Sequence, residues 1–436
     1  MAAATAGMAA AFVSDLKAKV GLSPPSELKE VPTVVTITPK VDESGHMKAV
    51  EWHGKEDIRL NPKRPVPLIT DPTDIVLKVT STCICGSDLH LYLGNMPGMM
   101  PGDVLGHEFM GIVQEVGPDV EKLKKGDRVV VCFDIACGKC RFCKQGLYYC
   151  CDSTNSSLDM QVLYGSRTAG FFGYSHLTGG YPGGQCEYVR VPLADFNTLK
   201  IEDKSIPDEK LVLLSDILPT AWHANELGEV SEGDTVAIWG AGPVGILTAH
   251  SAIVRGAKDV VLIDEIDYRL EHAKKKLPSV QTINFKHEKV YDSLRKLYPD
   301  GPDVGIDAVG MHDFHSFTHK VQVAMKLHTD TPKVVNEIVY NVRKGGRISI
   351  IGAYGGVING FMFGAFMEKH MTMRGGQTPV QKYWPHLLKM VLDGVLQPEM
   401  VITHQPPLDK APQMYKIFNE KSDGCIKVVM HPEKKA

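Results

Sequence analysis

Four cysteines stand close together in one short stretch of this 436-residue chain. They follow the spacing C-x2-C-x2-C-x7-C, at Cys137, Cys140, Cys143 and Cys151. Thiolates at this spacing can surround one zinc ion tetrahedrally, because each short turn presents the next sulfur. The stretch is therefore predicted to fold as a lobe closed around a structural zinc ion.

The spacing and context of these cysteines disfavour two other roles, an iron–sulfur site and disulfide bonds. Iron–sulfur proteins use C-x2-C-x2-C-x3-C-P or C-x4-C-x2-C, and neither pattern fits. Disulfides suit small secreted domains, and the apolar N-terminus has no basic region before it, so a secretory signal is not expected. Cys150 competes with Cys151 for the fourth position, but the x7 spacing favours Cys151.

A second motif, G-x-G-x-x-G, is formed by Gly240, Gly242 and Gly245, between the strand-like TVAIW and a helical segment. The glycines permit a tight turn, close approach of a pyrophosphate and close helix–strand packing. Asp264 lies nineteen residues after Gly245 and ends the next strand. A carboxylate there accepts hydrogen bonds from a ribose and repels a 2′-phosphate, which predicts NAD over NADP. Arg269 either flanks the ribose or begins a solvated helix.

Composition limits the classes of partner. The chain is 43% hydrophobic and 23% charged, with a formal net charge of −3. This gives no basic patch for nucleic acid or an anionic membrane. No segment approaches the roughly 20 apolar residues of a membrane-spanning helix. We therefore expect neither a nucleic-acid nor a membrane partner.

The pattern of secondary structure changes along the chain. Short strands with alternating apolar residues dominate the first half, as at 47–54 and 74–82, and 152–189 is predicted to be a long glycine-rich loop. Beyond about residue 205, strands alternate with helices. This alternation predicts an α/β fold with a doubly wound parallel sheet.

Five motifs together resemble the zinc-containing medium-chain alcohol dehydrogenase family. They are CGSDLH, GHE, the four-cysteine run, GAGPVG and SDILPT, and the resemblance extends from about residue 47 to the end. SDILPT and the insertion GYSHLTGGYPGGQCEYVRVP are most similar to the glutathione-independent formaldehyde dehydrogenase group.

The resemblance implies a GroES-like β-rich catalytic domain and a Rossmann domain with a doubly wound parallel sheet. The expected divisions are an N-terminal extension at 1–46, the catalytic domain at 47–216, the NAD-binding domain at 217–372, and a return to the catalytic domain at 373–436. It also implies that Cys85, His107 and Asp216 bind a catalytic zinc, with Asp216 standing where ordinary alcohol dehydrogenases have a cysteine. The chain would then hold two zinc ions.

Further roles follow from the resemblance alone. Ser87 would take the substrate proton and His90 would continue the relay, while Asp88 would orient His107 and Glu108 would lie behind the metal. Residues expected at the cofactor are Thr220 and Val244, which would pack against the nicotinamide, and Lys427, which would reach the pyrophosphate.

The implied activity is hydride transfer between NAD and an alcohol or an aldehyde hydrate, with formaldehyde as one candidate. Polyol and glutathione-adduct dehydrogenases are the enzymatic alternatives, and a non-catalytic NAD-binding protein is the third. The family resemblance implies a homo-oligomer, either a dimer or a tetramer. A cytoplasmic protein with reduced thiols is expected, and organelle import through the N-terminal extension is left open.

Overall fold

The computed structural model describes residues 32–310, 329–354 and 357–433. The N-terminal extension therefore lies largely outside the described residues. Among the residues that are described, no helix is both long and apolar enough to cross a membrane.

The strands of the described residues differ in length between the two halves of the chain. They are β1 (Val41–Gly54), β2 (Asp57–Pro67), β3 (Ile75–Ile84), β4 (Asp103–Val104), β5 (Phe109–Val116), β6 (Arg128–Val131), β7 (Asp134–Ile135), β8 (Gly170–Phe171), β9 (Tyr188–Val191), β10 (Thr198–Lys200), β11 (Thr235–Trp239), β12 (Asp259–Asp264), β13 (Gln281–Asn284), β14 (Val304–Asp307), β15 (Thr329–Asp330), β16 (Arg347–Ile350), β17 (Val357–Ile358), β18 (Thr372–Gly375) and β19 (Val428–Met430).

The longer helices fall mainly in the second half. The α-helices are α1 (Gly86–Tyr92), α2 (Arg141–Lys144), α3 (Leu158–Tyr164), α4 (Ala194–Asn197), α5 (Asp208–Leu211), α6 (Ile217–Leu227), α7 (Pro243–Val254), α8 (Asp267–Lys276), α9 (Val290–Leu297), α10 (Lys333–Asn341), α11 (Phe363–Glu368), α12 (Val380–Leu392) and α13 (Ala411–Asn419). Short 3₁₀ helices cover Tyr148–Cys150, His176–Thr178, Val212–Ser215, Pro398–Val401 and Leu408–Lys410.

The second half is built around a six-stranded parallel sheet, ordered β13-β12-β11-β14-β16-β18. This is the doubly wound order in which the chain starts at the centre and reverses direction once. The central strand β11 is buried on both faces, with Val236, Ala237 and Ile238 inaccessible to solvent. Helices cover both faces of such a sheet, which is why its strands are almost continuously apolar. The predicted α/β class with a parallel sheet is confirmed.

The turn after β11 depends on glycine. Gly240 has φ of +101°, a backbone conformation that residues with side chains rarely adopt. A Cβ on Gly245 would lie 1.8 Å from the carbonyl oxygen of Gly240, so a side chain there would force the helix away from the turn. Helix α7 therefore begins directly over the end of β11, with Pro243 at its first position.

Among the described residues, the first half contains two larger antiparallel sheets and a two-stranded antiparallel sheet of β7 and β8. One larger sheet has the order β2-β1-β4, and the other has the order β10-β6-β5-β3-β19 with β9 also paired to β3. Strand β19 returns from the C-terminus to pair with β3, Val429 opposite Cys83. The chain therefore leaves the antiparallel half, forms the parallel sheet and comes back, so that the two halves face each other.

Several bounds differ from the sequence expectations. Strand β1 begins at Val41, inside the expected N-terminal extension, and β18 ends at Gly375, three residues beyond the expected division at 372. The segment 152–189 was expected to be a loop, but it contains α3, β8 and a 3₁₀ helix. Ser157 caps α3 by accepting a hydrogen bond from the Met160 N–H, which gives part of this segment regular structure.

Candidate active site and metal centres

The four cysteines of the spaced motif, Cys137, Cys140, Cys143 and Cys151, form one group, here called the four-cysteine cluster. Their sulfur atoms all lie within 4.8 Å of one another. Backbone N–H groups of Cys140 and Lys139 donate to Cys137 Sγ at 3.2 and 3.4 Å. A hydrogen bond from Cys143, followed by backbone N–H groups, lowers the pKa of the Cys151 thiol and favours the thiolate that a metal needs. Four convergent thiolates fit a closed tetrahedral zinc site.

Cys150, the competing candidate, is not a member of this cluster. It is half-buried and lines the cleft between the two halves of the molecule instead. Cys150 ends the 3₁₀ helix Tyr148–Cys150, whereas Cys151 caps it with extended ψ and donates its N–H to the Tyr148 carbonyl at 2.9 Å. The turn therefore directs consecutive thiols to different places.

A second group lies in the cleft, formed by Cys85, His107, Glu108 and Asp216, and is called the cleft cluster. The potential ligand atoms of these four residues also lie within 4.8 Å of one another. His107 Nε2 lies 3.3 Å from Asp216 Oδ2, and the Cys85 thiol donates to the same oxygen at 3.9 Å. Cys85 precedes α1 and Asp216 precedes α6, so helix starts bring both residues to the cleft.

Asp88 fixes the orientation of the His107 ring. Its Oδ1 lies 3.1 Å from His107 Nδ1, and its Oδ2 accepts the Cys85 N–H at 2.9 Å. Burial alone would lower the pKa of His107, but the Asp88 charge and the hydrogen bond that His107 donates to Asp216 raise it well above its usual value. With the Nδ1 N–H directed at Asp88, Nε2 faces Cys85 and Asp216, and it would bind a metal once it gives up its own proton. A sulfur, an imidazole nitrogen and a carboxylate oxygen form a donor set that fits zinc and leaves a position open for a fourth ligand.

The structure pairs Lys427 with a buried carboxylate. Its side chain is fully buried, and Nζ lies 2.7 Å from a carboxylate oxygen of Glu108, which is also fully buried. Burial alone would lower the pKa of Lys427, but the Glu108 charge raises it. Lys427 is not among the residues that line the cleft, and it neutralises Glu108 of the cleft cluster. A buried carboxylate needs such a partner because an unpaired charge is costly there.

The two proposed relay residues lie at the open side of the cleft cluster. Ser87 Oγ is 3.2 Å from His107 Nε2, and both Ser87 and His90 line the cleft. His90 is almost fully buried, and its ring approaches Gly310, where a Cβ would lie 3.7 Å from Nε2. Ser87 and His90 thus lie on successive turns of α1, one beside the cleft cluster and one beside the parallel-sheet half.

The cleft between the halves has a volume of about 1600 Å³. It exceeds the roughly 300–1,000 Å³ of an ordinary small-molecule pocket and can therefore hold a dinucleotide beside a small substrate. Most of the predicted cofactor residues line it: Thr220, Gly240, Gly242, Val244, Asp264 and Arg269.

Asp264 is tied to the glycine turn. Its Oδ2 accepts the Ala241 N–H at 2.7 Å, and its Oδ1 accepts the Glu265 N–H, also at 2.7 Å. The carboxylate thus braces the turn at the start of α7 while lining the cleft. The turn, the N-terminus of α7 and this carboxylate fit the diphosphate and ribose of a dinucleotide.

An aromatic wall, composed of Phe133, Phe171 and Tyr174, surrounds the His107 ring. The ring centroid of His107 lies 5.2 Å from Phe171, 6.3 Å from Tyr174 and 6.5 Å from Phe133. Phe171 also packs on Phe133 at 4.8 Å and on Tyr174 at 5.0 Å. All three wall residues line the cleft beside the cleft cluster. No periodic pattern predicts this wall, because Phe133 lies between β6 and β7 whereas Phe171 and Tyr174 lie in and just after β8.

Comparison with known proteins relates this chain to alcohol dehydrogenases. Residues 71–203 match the alcohol dehydrogenase GroES-like domain. The chain is 44% identical over 388 residues to the uncharacterized zinc-type alcohol dehydrogenase-like protein AdhB of Bacillus subtilis (strain 168), a match that covers 88% of this chain and 100% of that protein.

Two further matches are similarly extensive. Identity to the glutathione-independent formaldehyde dehydrogenase of Pseudomonas aeruginosa (strain LESB58) is 36% over 378 residues, covering 81% of this chain and 90% of that protein. The solved structure of alcohol dehydrogenase TADH from Thermus sp. ATN1 superposes with a TM-score of 0.74 at 32% identity, covering 88% of this chain and 99% of that chain.

Proposed function

Because this chain belongs to the zinc-type alcohol dehydrogenase family, and is therefore a zinc-dependent, NAD-linked oxidoreductase of alcohols or aldehydes, we propose that its substrate is small. The proposed class is a short primary alcohol or the hydrate of a short aldehyde, with formaldehyde hydrate as the first candidate. The predicted family and enzyme class are confirmed by the relatives, and one of them is named for formaldehyde.

The aromatic wall is the observation that carries this proposal. Phe171 lies 5.2 Å from the His107 ring and is itself packed between Phe133 and Tyr174. A long or polyhydroxylated substrate bound at the cleft cluster would have to displace these rings or leave its hydroxyl groups without partners. A substrate of one or two carbons needs neither.

We assign the metal-binding role to Cys85, His107 and Asp216. When bound there, zinc supplies a Lewis acid that lowers the pKa of an alcohol or hydrate oxygen. Ser87, 3.2 Å from His107 Nε2, is placed to accept the substrate proton by a hydrogen bond. His90 lies one turn further along α1 and is proposed to carry that proton toward solvent.

The remaining cleft residues are proposed to hold NAD. The glycine turn with Val244 would face the diphosphate and nicotinamide portion, Asp264 the adenosine ribose, and Arg269 the outer edge of the same ribose. The overall reaction balances as aldehyde hydrate plus NAD⁺ giving carboxylic acid, NADH and a proton. For an alcohol substrate, the carbon product is the aldehyde.

Several finer features are proposed alongside this activity. The two cysteine-containing clusters support two zinc ions per chain, one closed and one catalytic. We also propose a homo-oligomer, a dimer or a tetramer, and a cytoplasmic location, where thiols remain reduced for metal binding. The proposed divisions remain an extension at 1–46, a catalytic domain at 47–216 with a return at 373–436, and a cofactor domain at 217–372.

The test is a substrate series assayed by NAD reduction with the purified, zinc-replete protein. The series contains formaldehyde, ethanol, butanol, octanol and sorbitol, each with and without glutathione. We expect the highest kcat/KM for the one- and two-carbon substrates and no dependence on glutathione. A maximum at octanol or sorbitol, or an absolute need for glutathione, would overturn the proposed substrate class.

A further inference from the structure

The two carboxylate oxygens of Asp216 face different surroundings. Oδ2 is directed into the cleft cluster, 3.3 Å from His107 Nε2 and 3.9 Å from Cys85 Sγ. Oδ1 accepts a hydrogen bond from the Thr220 hydroxyl at 2.7 Å. One oxygen is therefore held away from the position where a metal would lie.

The bond to Oδ1 is itself supported by a second threonine. The Thr220 hydroxyl has one hydrogen, and because it donates that hydrogen to Asp216, it can only accept from another donor. The Thr378 hydroxyl lies 3.0 Å from Thr220 Oγ1 and is placed to be that donor. Thr378 is 1% exposed, so its hydroxyl is shielded from bulk water. Successive hydroxyl bonds ending on a charged group polarise and strengthen each other.

The backbone around both ends of this chain of hydroxyl groups is anchored. The Thr220 N–H donates to the Asp216 carbonyl at 2.8 Å, within the first turn of α6. Helix α12 begins two residues after Thr378, and its Trp384 Nε1 donates to the Leu214 carbonyl at 2.9 Å. The segments that carry Thr378 and Asp216 are therefore fixed to each other independently of the hydroxyl groups.

We propose that Thr220 and Thr378 are positioning residues that hold Asp216 as a ligand through one oxygen only. This role rests on the ligand set given in the proposed function. A carboxylate can bind a metal through one oxygen or through both. Binding through both would fill the position that a catalytic zinc keeps open for substrate. A cysteine offers one sulfur and has no second donor atom to restrain, so the hydroxyl chain meets a requirement that arises only with an aspartate.

The test uses the cobalt(II)-substituted protein, because cobalt absorption reports the number and kind of ligands directly. The variants are Thr220→Val and Thr378→Val, which keep the shape of the side chain and remove the hydroxyl, together with the conservative Thr220→Ser. Thr248→Val is the matched control, because Thr248 is a fully buried threonine whose hydroxyl has no hydrogen-bond partner among the described residues.

In Thr220→Val, we expect a changed cobalt spectrum and a fall of roughly 10–100-fold in metal affinity measured by chelator competition. Thr220→Ser should restore both properties, Thr378→Val should show the same changes at smaller amplitude, and Thr248→Val should show none. The metal content of the four-cysteine cluster reports whether each variant has folded, and Thr378→Val carries the test if Thr220→Val does not fold.

Wild-type spectra and affinities in both valine variants would overturn the positioning role. Changes that Thr220→Ser fails to restore would overturn it as well, since they would reflect packing instead of the hydroxyl. Asp216→Asn separates this failure from failure of the proposed ligand set: a wild-type cobalt spectrum in that variant would remove Asp216 from the ligands, and the hydroxyl chain's role with it.

Discussion

The four-cysteine cluster and the cleft cluster are both suited to zinc, but they are assembled in opposite ways. All ligands of the first come from the stretch Cys137–Cys151, whereas those of the second span 131 residues between Cys85 and Asp216. The first presents four identical donors, while the second combines a thiol, an imidazole and two carboxylates. Asp88 orients its histidine and Lys427 neutralises its Glu108. The comparison shows that a closed site requires only correct spacing, whereas an open reactive site requires charges and rings brought from several elements.

The largest expected effect is on stability, from removing a ligand of the four-cysteine cluster. Cys143→Ser should lose about one zinc per chain and several kcal/mol of unfolding free energy, because structural zinc binding contributes roughly 10–16 kcal/mol in small domains. Zinc content and urea unfolding measure both effects. Cys150→Ser is the matched control, since Cys150 lies outside the cluster and should retain full zinc. Equal zinc content in the two variants would contradict the assignment of the cluster.

Removing a proposed ligand of the cleft cluster should greatly reduce activity and leave stability almost unchanged. Asp216→Ala is expected to lose more than about 100-fold in kcat/KM, since losing only an outer partner of a metal ligand costs roughly 10–100-fold. Its urea midpoint should stay close to that of the wild type, because the cluster lies at a cleft and not within a closed lobe. Activity that survives in Asp216→Ala, with zinc content unchanged, would show that the two clusters do not divide structural and reactive roles in this way.

The next effect is on stability, from breaking the buried ion pair between Glu108 and Lys427. Glu108→Gln leaves Lys427 buried without its counter-charge, and breaking such a pair costs roughly 3–5 kcal/mol. The double variant Glu108→Gln, Lys427→Met should recover most of that stability in urea unfolding. If Lys427→Met alone were fully stable and only raised the KM for NAD, the lysine would belong to the cofactor site after all.

Asp88 should affect one cluster and leave the other unchanged. Asp88→Asn keeps the size of the side chain but removes the charge 3.1 Å from His107 Nδ1. We expect a roughly 10–100-fold fall in metal affinity at the cleft cluster. Chelator competition resolves the two sites, and the four-cysteine cluster should release its metal at the wild-type rate. A similar loss at both sites would indicate a general loss of structure.

The smallest effect is on the pH dependence of the free energy of unfolding. The His176–Asp103 pair, at 3.1 Å, joins the 152–189 segment to β4, and the hydrogen bond that His176 donates to Asp103 raises the pKa of His176. A raised folded-state pKa means that the pair contributes fully below the unfolded value of about 6.5 and is lost as pH rises through the folded value. The partly exposed pair should contribute less than about 1 kcal/mol.

His176→Asn tests this contribution by urea unfolding at about pH 5.5 and about pH 9. The wild type should be more stable than the variant at the lower pH, and the difference should approach zero at the higher pH. A difference that grows with pH would have the wrong sign and would exclude the pair as its source.

The elements that could be predicted from sequence share one property: their geometry is local. The glycine turn followed from three glycines between a strand and a helix, because Gly240 needs a positive φ and Gly245 cannot carry a Cβ there. The aromatic wall and the Thr220–Thr378 contact could not be predicted in this way. The two threonines are 158 residues apart, and neither lies in a spaced motif that signals the other.

The ion pair of Lys427 shows the same limit of prediction from sequence. The resemblance predicts a pyrophosphate contact for this lysine, but no sequence signal predicts its ion pair with Glu108, 319 residues away. Which anion a cation meets depends on how the last strand, β19, returns to β3 and on what is buried beneath it.

The sequence by itself determined the four-cysteine cluster, the nucleotide turn and the family, because short-range spacing and backbone sterics fix those features wherever the stretch is placed. Only the tertiary structure decided which oxygen of Asp216 faces the metal position, which rings surround His107 and which charge neutralises Glu108. These depend on burial, since removing water makes each polar group require a partner, and that partner is whichever residue the packing of the two halves brings within reach.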